Sequence, residues 1–238
     1  MLICNGNGCL SDRVQEDRKE TSMGYIFWMA VVVPVIFTGA RLHCRMKEQK
    51  DKRWNLIPKC LPTWLMVCTA FAGIWQFQKR EEDLWIFAAM ILFLLADALL
   101  EIHFFLGMGV FAAGHLALII WLLIQGHFTF AYVPVWVAGM LLMIWVFRKE
   151  LERGKEDHRL YLMLLYPAVL MGMMAMAVCL SFTAGKSYGW IAVGSVLFVI
   201  SDMMVGKKFF GKLPEKLEFG ALILYYFGIF CISMMTWG

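Results

Sequence analysis

Two aspartates stand in stretches that otherwise suit hydrocarbon: LWIFAAMILFLLADALLEI carries Asp97, and YGWIAVGSVLFVISDMMVG carries Asp202. Glu101 follows Asp97 by one helical turn and shares its face. An ionised carboxylate within a membrane costs roughly 2.5–3.5 kcal/mol or more, so such groups face a bundle interior and often carry transport or catalytic work. The plainer alternative is a polar tie between helices. Two acids at matched depth favour the functional reading.

The segments around the two acids also resemble each other. Phe93-x-x-x-Asp97 and Phe198-x-x-x-Asp202 share a spacing, and the pairs Phe104–Phe105 and Phe209–Phe210 follow each acid by seven and eight residues, all at an offset of 105 residues. Four helices separate the two copies, and an even number preserves orientation. The pattern predicts a parallel repeat of four plus four spans with the carboxylates approaching a pseudo-twofold axis. Chance recurrence is the competing explanation in a chain with 19 Phe.

Other groups could serve the same site. Gly107, Phe111 and His115 succeed one another at four-residue steps along one stripe of the next span. Gly107 permits close approach of a backbone or ligand, and His115 is an ionisable group at mid-membrane, where a helix-to-helix tie is the plainer role. Lys59, at the start of the second span, and Lys207 and Lys208, just beyond Asp202, could grip a phosphate at headgroup level, and snorkelling to the interface explains them equally well.

The elements that position these residues follow from composition. Of 238 residues 61% are hydrophobic and 17% charged, far from the balance of a water-soluble domain. Windows of about twenty apolar residues, enough to cross a hydrocarbon core of roughly 30 Å, recur along the chain. They predict spans at Tyr25–Leu42, Leu61–Phe77, Leu84–Ile102, Phe104–Gln125, Phe128–Phe147, Leu160–Phe182, Tyr188–Gly206 and Phe219–Trp237. The expected architecture is an all-α integral membrane protein of eight transmembrane helices over residues 25–238, after a polar N-terminal extension at 1–24. Short connections at His103 and at Gly126–His127 impose antiparallel hairpins. Residues 1–24 lack the apolar stretch and small-residue cleavage site of a signal peptide, so the first span is expected to stay as an anchor.

Sixteen of the 22 lysines and arginines fall in the connections after the first, third, fifth and seventh spans or, for Arg41, at the adjoining edge of the first span. The positive-inside rule then predicts both termini outside the cytoplasm, in the cytoplasmic membrane if the source is bacterial. Basic groups such as Arg41, Arg45, Lys47, Lys50, Lys52 and Arg53 meet anionic lipid headgroups in this setting rather than nucleic acid. The seven cysteines are scattered; Cys4 and Cys9 lack the further partners of a zinc site and read as packing residues or free thiols.

Short motifs in order along the chain resemble the YhhN-like family, the transmembrane lysoplasmalogenases. They are Lys59-Cys60-Leu61-Pro62, Leu95-Ala96-Asp97-Ala98-Leu99-Leu100, Phe105-x-Gly107-x-x-x-Phe111-x-x-x-His115, Leu197-Phe198-x-x-Ser201-Asp202 and Tyr225-Tyr226. The pattern departs from the family's at Cys60, Leu118 and Ile229, where Pro, Tyr and Gln are common. The resemblance implies an eight-helix hydrolase that splits the vinyl-ether bond of a lysoplasmalogen into a fatty aldehyde and glycerophosphoethanolamine or glycerophosphocholine.

That chemistry matches the residues. A vinyl ether hydrolyses when an acid protonates the alkene carbon and water captures the resulting oxocarbenium ion. One protonated acid and one charge-stabilising base suffice, and no metal or organic cofactor is required. Two carboxyl groups in a low-dielectric cavity can divide that labour. Asp97 and Asp202 are the expected catalytic pair, Lys59 the phosphate contact, and His115 and Tyr225 the groups that position substrate or water. Glu101, Gly107 and Phe111 complete the expected substrate-binding set, with a lysophospholipid from the surrounding bilayer as the partner.

Two other classes fit less well. A small-molecule or proton-coupled transporter also favours repeats and paired acids, but Pro34, Pro134 and Pro167 fall in other spans and neither Asp-bearing span contains proline. A structural or partner-binding membrane protein would use the acids only as interhelical ties.

Overall fold

Eight helices account for nearly all of the described chain. The computed structural model describes residues 6–48, 56–77, 81–126, 129–153, 159–210 and 214–237; Cys4, Lys50, Lys52, Arg53 and His127 lie outside them. The helices are α1 (Gly6–Glu48), α2 (Leu56–Phe77), α3 (Leu84–Ile102), α4 (Phe104–Ile124), α5 (Tyr132–Arg153), α6 (Arg159–Thr183), α7 (Gly189–Phe210) and α8 (Glu215–Ser233). Each contains a stretch long and apolar enough to cross a bilayer, so the chain is a multi-pass membrane protein. No strand occurs among the described residues.

Several boundaries differ from the sequence expectation. The 43 residues of α1 begin within the polar extension at Gly6 and run unbroken into the first span. At 1.5 Å per residue that helix is about 65 Å long, roughly twice the hydrocarbon thickness, so its polar N-terminal part lies beyond the core. In α2 the helix starts at Leu56, which places Pro62 inside it rather than at its edge. A turn through Thr129 and Phe130 delays α5 to Tyr132, and α5 then continues past Phe147 to Arg153.

One extended residue, His103 (φ −139°, ψ 96°), breaks the chain between α3 and α4. Its N–H donates to the Leu99 carbonyl at 2.7 Å, and its carbonyl accepts from Gly107 N–H at 3.0 Å, so both helix ends are satisfied as the chain reverses. A Cβ on Gly107 would meet the Leu100 backbone nitrogen at 2.6 Å, and this lets α4 lie directly against α3. The α7–α8 hairpin uses the same device, since a Cβ on Gly194 would stand 2.6 Å from the Gly228 carbonyl.

Neighbour relations repeat between the halves. In the first, α1 packs on α2, α2 on α3 and α3 on α4; in the second, α5 packs on α6, α6 on α7 and α7 on α8. The halves join where α4 packs on α6 and α8 on α2, and α8 also packs on α1. Burial ranks the helices: 67% of the α8 span is buried and 11% of the α5 span, so α8 is central and α5 peripheral.

Candidate functional site

Asp97 is carried on α3 with 1% of its surface exposed, on the face that also buries Phe93 and Ala96. Its Oδ2 accepts two hydroxyl bonds, from Thr63 Oγ1 of α2 at 2.5 Å and from Tyr225 Oη of α8 at 2.8 Å. Both fall on one oxygen, which leaves Oδ1 for other partners. Asp202 is half-buried on α7, and its Oδ2 accepts a very short bond from the Tyr166 hydroxyl of α6. Each aspartate is thus held by a tyrosine from a neighbouring helix.

Both carboxyl groups line one cavity of about 440 Å³, within the range of small-molecule sites. Beneath them the repeat-related Phe93 and Phe198 meet each other, ring centroids 5.3 Å apart. Phe111 packs on both, at 5.6 and 5.9 Å, and on Tyr225 at 5.8 Å; Phe111 and Tyr225 line the cavity as its aromatic floor, and Phe93 and Phe198 back them. Apolar side chains of α4, α5, α6 and α7, among them Met108, Phe147, Leu170 and Val199, form the walls.

The rim is ionic. Lys59 Nζ lies 2.9 Å from Glu101 Oε1, and His43 Nε2 lies 4.0 Å from the same oxygen. Lys47 of α1 reaches Glu218 of α8 at 2.7 Å, and Lys208 of α7 pairs with the same carboxylate. Three lysines against two glutamates leave the rim with surplus positive charge, all of it lining the cavity. The Tyr226 hydroxyl donates to the Lys59 carbonyl at 2.8 Å and fixes the start of α2 beneath it.

Of the residues singled out from sequence, Asp97, Asp202, Lys59, Glu101, Phe111 and Tyr225 line this cavity, and Lys208 joins them. Gly107 and His115 do not. Gly107 serves the α3–α4 contact described above. His115 is fully buried behind the floor, its ring 4.5 Å from Phe198, 5.0 Å from Phe93 and 6.0 Å from Tyr166, and neither ring nitrogen has a hydrogen-bond partner among the described residues. Lys207 turns away to α5, donating to the Val146 carbonyl and to Glu150, both at 2.7 Å.

Sequence reasoning missed Tyr166, Thr63, His43 and Glu218, and named Lys47 only among the basic residues that meet lipid headgroups. One signal was present for the first: Tyr166-Pro167 stands 105 residues after Leu61-Pro62, at the offset that relates Asp97 to Asp202. Among the described residues no three His, Cys, Asp or Glu side chains are placed to share a metal ion, and Cys44, Cys60, Cys68, Cys179 and Cys231 form no disulfide.

What the arrangement can do is set by its layers: a basic rim for an anion, two hydroxyl-bonded carboxyls for proton transfer, and apolar walls for a chain. Among proteins of known activity and among solved structures, nothing matches the chain. The model of the YhhN family does match it, over residues 54–236, a stretch that holds both aspartates, both tyrosines and every helix of the site except α1. With most of its length matched, the chain belongs to the YhhN family.

Proposed function

We propose that this protein hydrolyses the vinyl-ether bond of a lysoplasmalogen, with Asp97 and Asp202 as its acid–base pair. The observation that carries the reading is the shared cavity: two carboxyl groups from repeat-related helices, beneath a basic rim and among apolar walls. A single-chain phospholipid has matching layers, a phosphate, an ether-linked carbon–carbon double bond just below it, and a hydrocarbon tail.

The step balances without any oxidant or reductant. A protonated carboxyl gives its proton to the alkene carbon distal to oxygen, and the double-bond electrons form the new C–H bond. The carbon bonded to oxygen becomes an oxocarbenium ion, which the second, ionised carboxyl stabilises. Water adds to that carbon and loses a proton to the carboxylate. In the collapse of the hemiacetal its hydroxyl proton passes to the carboxylate that gave up the first proton, the carbon–oxygen bond breaks, and the glycerol oxygen takes the proton held by the other carboxyl, so the aldehyde leaves and both acids return to their starting states. Proton transfer by placed groups accounts for roughly 10²–10⁴-fold of rate.

Hydrogen bonding supports a division of roles. Asp97 has two hydroxyl donors on one oxygen and Lys59 nearby on the rim, surroundings that suit a carboxylate. Asp202 has one hydroxyl donor and apolar neighbours such as Val199 and Met203, and we assign it the acid. Lys59, Lys208 and Lys47 take the phosphate at headgroup level, on the side of the membrane that the positive-inside rule makes cytoplasmic.

Purified protein is expected to release fatty aldehyde from lysoplasmenylcholine or lysoplasmenylethanolamine. Absence of aldehyde from well-folded protein with either lipid would refute the reading. A second reading, a transporter, is favoured by one observation: Pro62 and Pro167, related by the repeat offset, lie inside α2 and α6 next to Thr63 and Tyr166, which bond the two acids. Counterflow of solute in proteoliposomes without lipid cleavage would support it instead.

A further inference from the structure

The repeat makes two seams equivalent, α8 against α1 and α4 against α5, and the protein closes only one of them. Across the first, the helices pack face to face, Phe37 meets Phe227 at 6.3 Å and Lys47 bridges to Glu218 at 2.7 Å. The C-terminal turn Met234–Trp237 overlays the same seam at the opposite end of the bundle: Trp237 packs on Trp28 at 6.2 Å and its indole donates to the Thr69 carbonyl at 3.0 Å. Across the second, α4 packs on α3 and α6 while α5 leans on α6 and touches α7, and α4 and α5 make at most a glancing contact.

The cavity reaches that second seam. Phe104 and Met108 of α4 line it while half-buried, and Met143, Phe147 and Leu151 of α5 line it from the other side. The wall there consists of flexible thioether and aromatic side chains rather than of helix packed on helix.

We propose that the α4–α5 seam is a lateral passage through which the chain of a single-chain phospholipid slides between bilayer and cavity while its phosphate travels along the basic rim. The occupant follows from charge and polarity: Lys47, Lys59 and Lys208 match a phosphate, and the seam and the walls beneath match hydrocarbon. The direction follows from solvation. Lifting the lipid out through water exposes its tail at about 0.8 kcal/mol per methylene, whereas a sideways slide exchanges one apolar surrounding for another. This inference rests on the lipid reading of the site and not on the ether-cleaving step.

The test uses the full chain in nanodiscs and a lysophosphatidylcholine whose chain bears a photoreactive diazirine. Irradiation should attach the probe to residues 104–111 of α4 and 143–151 of α5, and excess unlabelled lysophosphatidylcholine should abolish the adducts. Adducts on the α1–α8 seam around Phe37 and Phe227, or none on the cavity walls, would overturn the passage. Labelling needs no hydrolysis, so adducts at the α4–α5 seam without aldehyde release remove the reaction and keep the passage; aldehyde release with adducts elsewhere removes only the passage. In a second arm, Met108→Trp should slow turnover of a bilayer-embedded long-chain substrate about tenfold more than that of a soluble short-chain one. Equal slowing of the two would also overturn it.

Discussion

Asp97 and Asp202 hold corresponding positions in the two halves, yet their surroundings differ. Asp97 is almost wholly buried and takes hydroxyls from Thr63 and Tyr225, whereas Asp202 is half-buried and takes one from Tyr166. The two like carboxyls share one cavity, and under the proposed function the differences between their surroundings give them unlike roles. Where the second half carries Ala168, the first carries Thr63, and that hydroxyl is the extra donor that separates the two sites.

The comparison can be broken most severely at the acids themselves. Asp97→Asn and Asp202→Asn are each expected to cut aldehyde release by roughly 10²–10⁴-fold while detergent-solubilised protein keeps its size-exclusion profile. Full activity in either variant would remove that aspartate from the chemistry. The asymmetry is sharpened next at the tyrosines. Tyr166→Phe strips Asp202 of its tyrosine donor and is expected to lower turnover about tenfold, since that bond strengthens as the acid gives up its proton and a hydrogen bond to the resulting carboxylate is worth roughly 1.5–3 kcal/mol. Tyr225→Phe leaves Thr63 on Asp97 and should cost less. Equal losses would show that the extra hydroxyl has no bearing on the division of roles.

At the rim, Lys59→Met should raise KM for the phospholipid several-fold with a smaller change in kcat, and should lower thermal stability by stranding Glu101. Adding Glu101→Gln is expected to restore stability but not KM, which separates phosphate binding from ion pairing. The smallest effect is expected at His115. Its buried nitrogens have no partners among the described residues, so His115→Phe should leave the melting temperature unchanged or raise it slightly, as an unmet polar group costs about 1–3 kcal/mol. A large fall would place a stabilising bond on that imidazole.

Eight spans were legible because the bilayer demands a fixed run of apolar residues, and α3 matches its expected bounds of Leu84–Ile102 at both ends. The shared cavity of Asp97 and Asp202 was foreshadowed by depth and offset. Tyr166 and Thr63 were not singled out because an amphipathic tip inside a span looks like any other packed residue until the neighbouring helix is in place. His43, Lys47 and Glu218 join the rim only through packing of α1 and α8 on α2, a contact that separates them by most of the chain. Gly107 and His115 lay on the stripe that contains Phe111, but Gly107 turns toward Leu100 of α3, and His115, one turn farther along α4, lies behind Phe111 against Phe93 and Phe198, so only Phe111 of the three reaches the cavity.

Protonation of the alkene carbon is the central claim, and it leaves a mark. Wild-type protein turning over lysoplasmenylcholine in heavy water, with the aldehyde reduced at once to the alcohol, should yield product carrying one deuterium on the carbon beside the former carbonyl; Asp97→Asn and Asp202→Asn should yield almost none of this product. Aldehyde formed without deuterium at that carbon, or formed equally by the asparagine variants, would contradict the account.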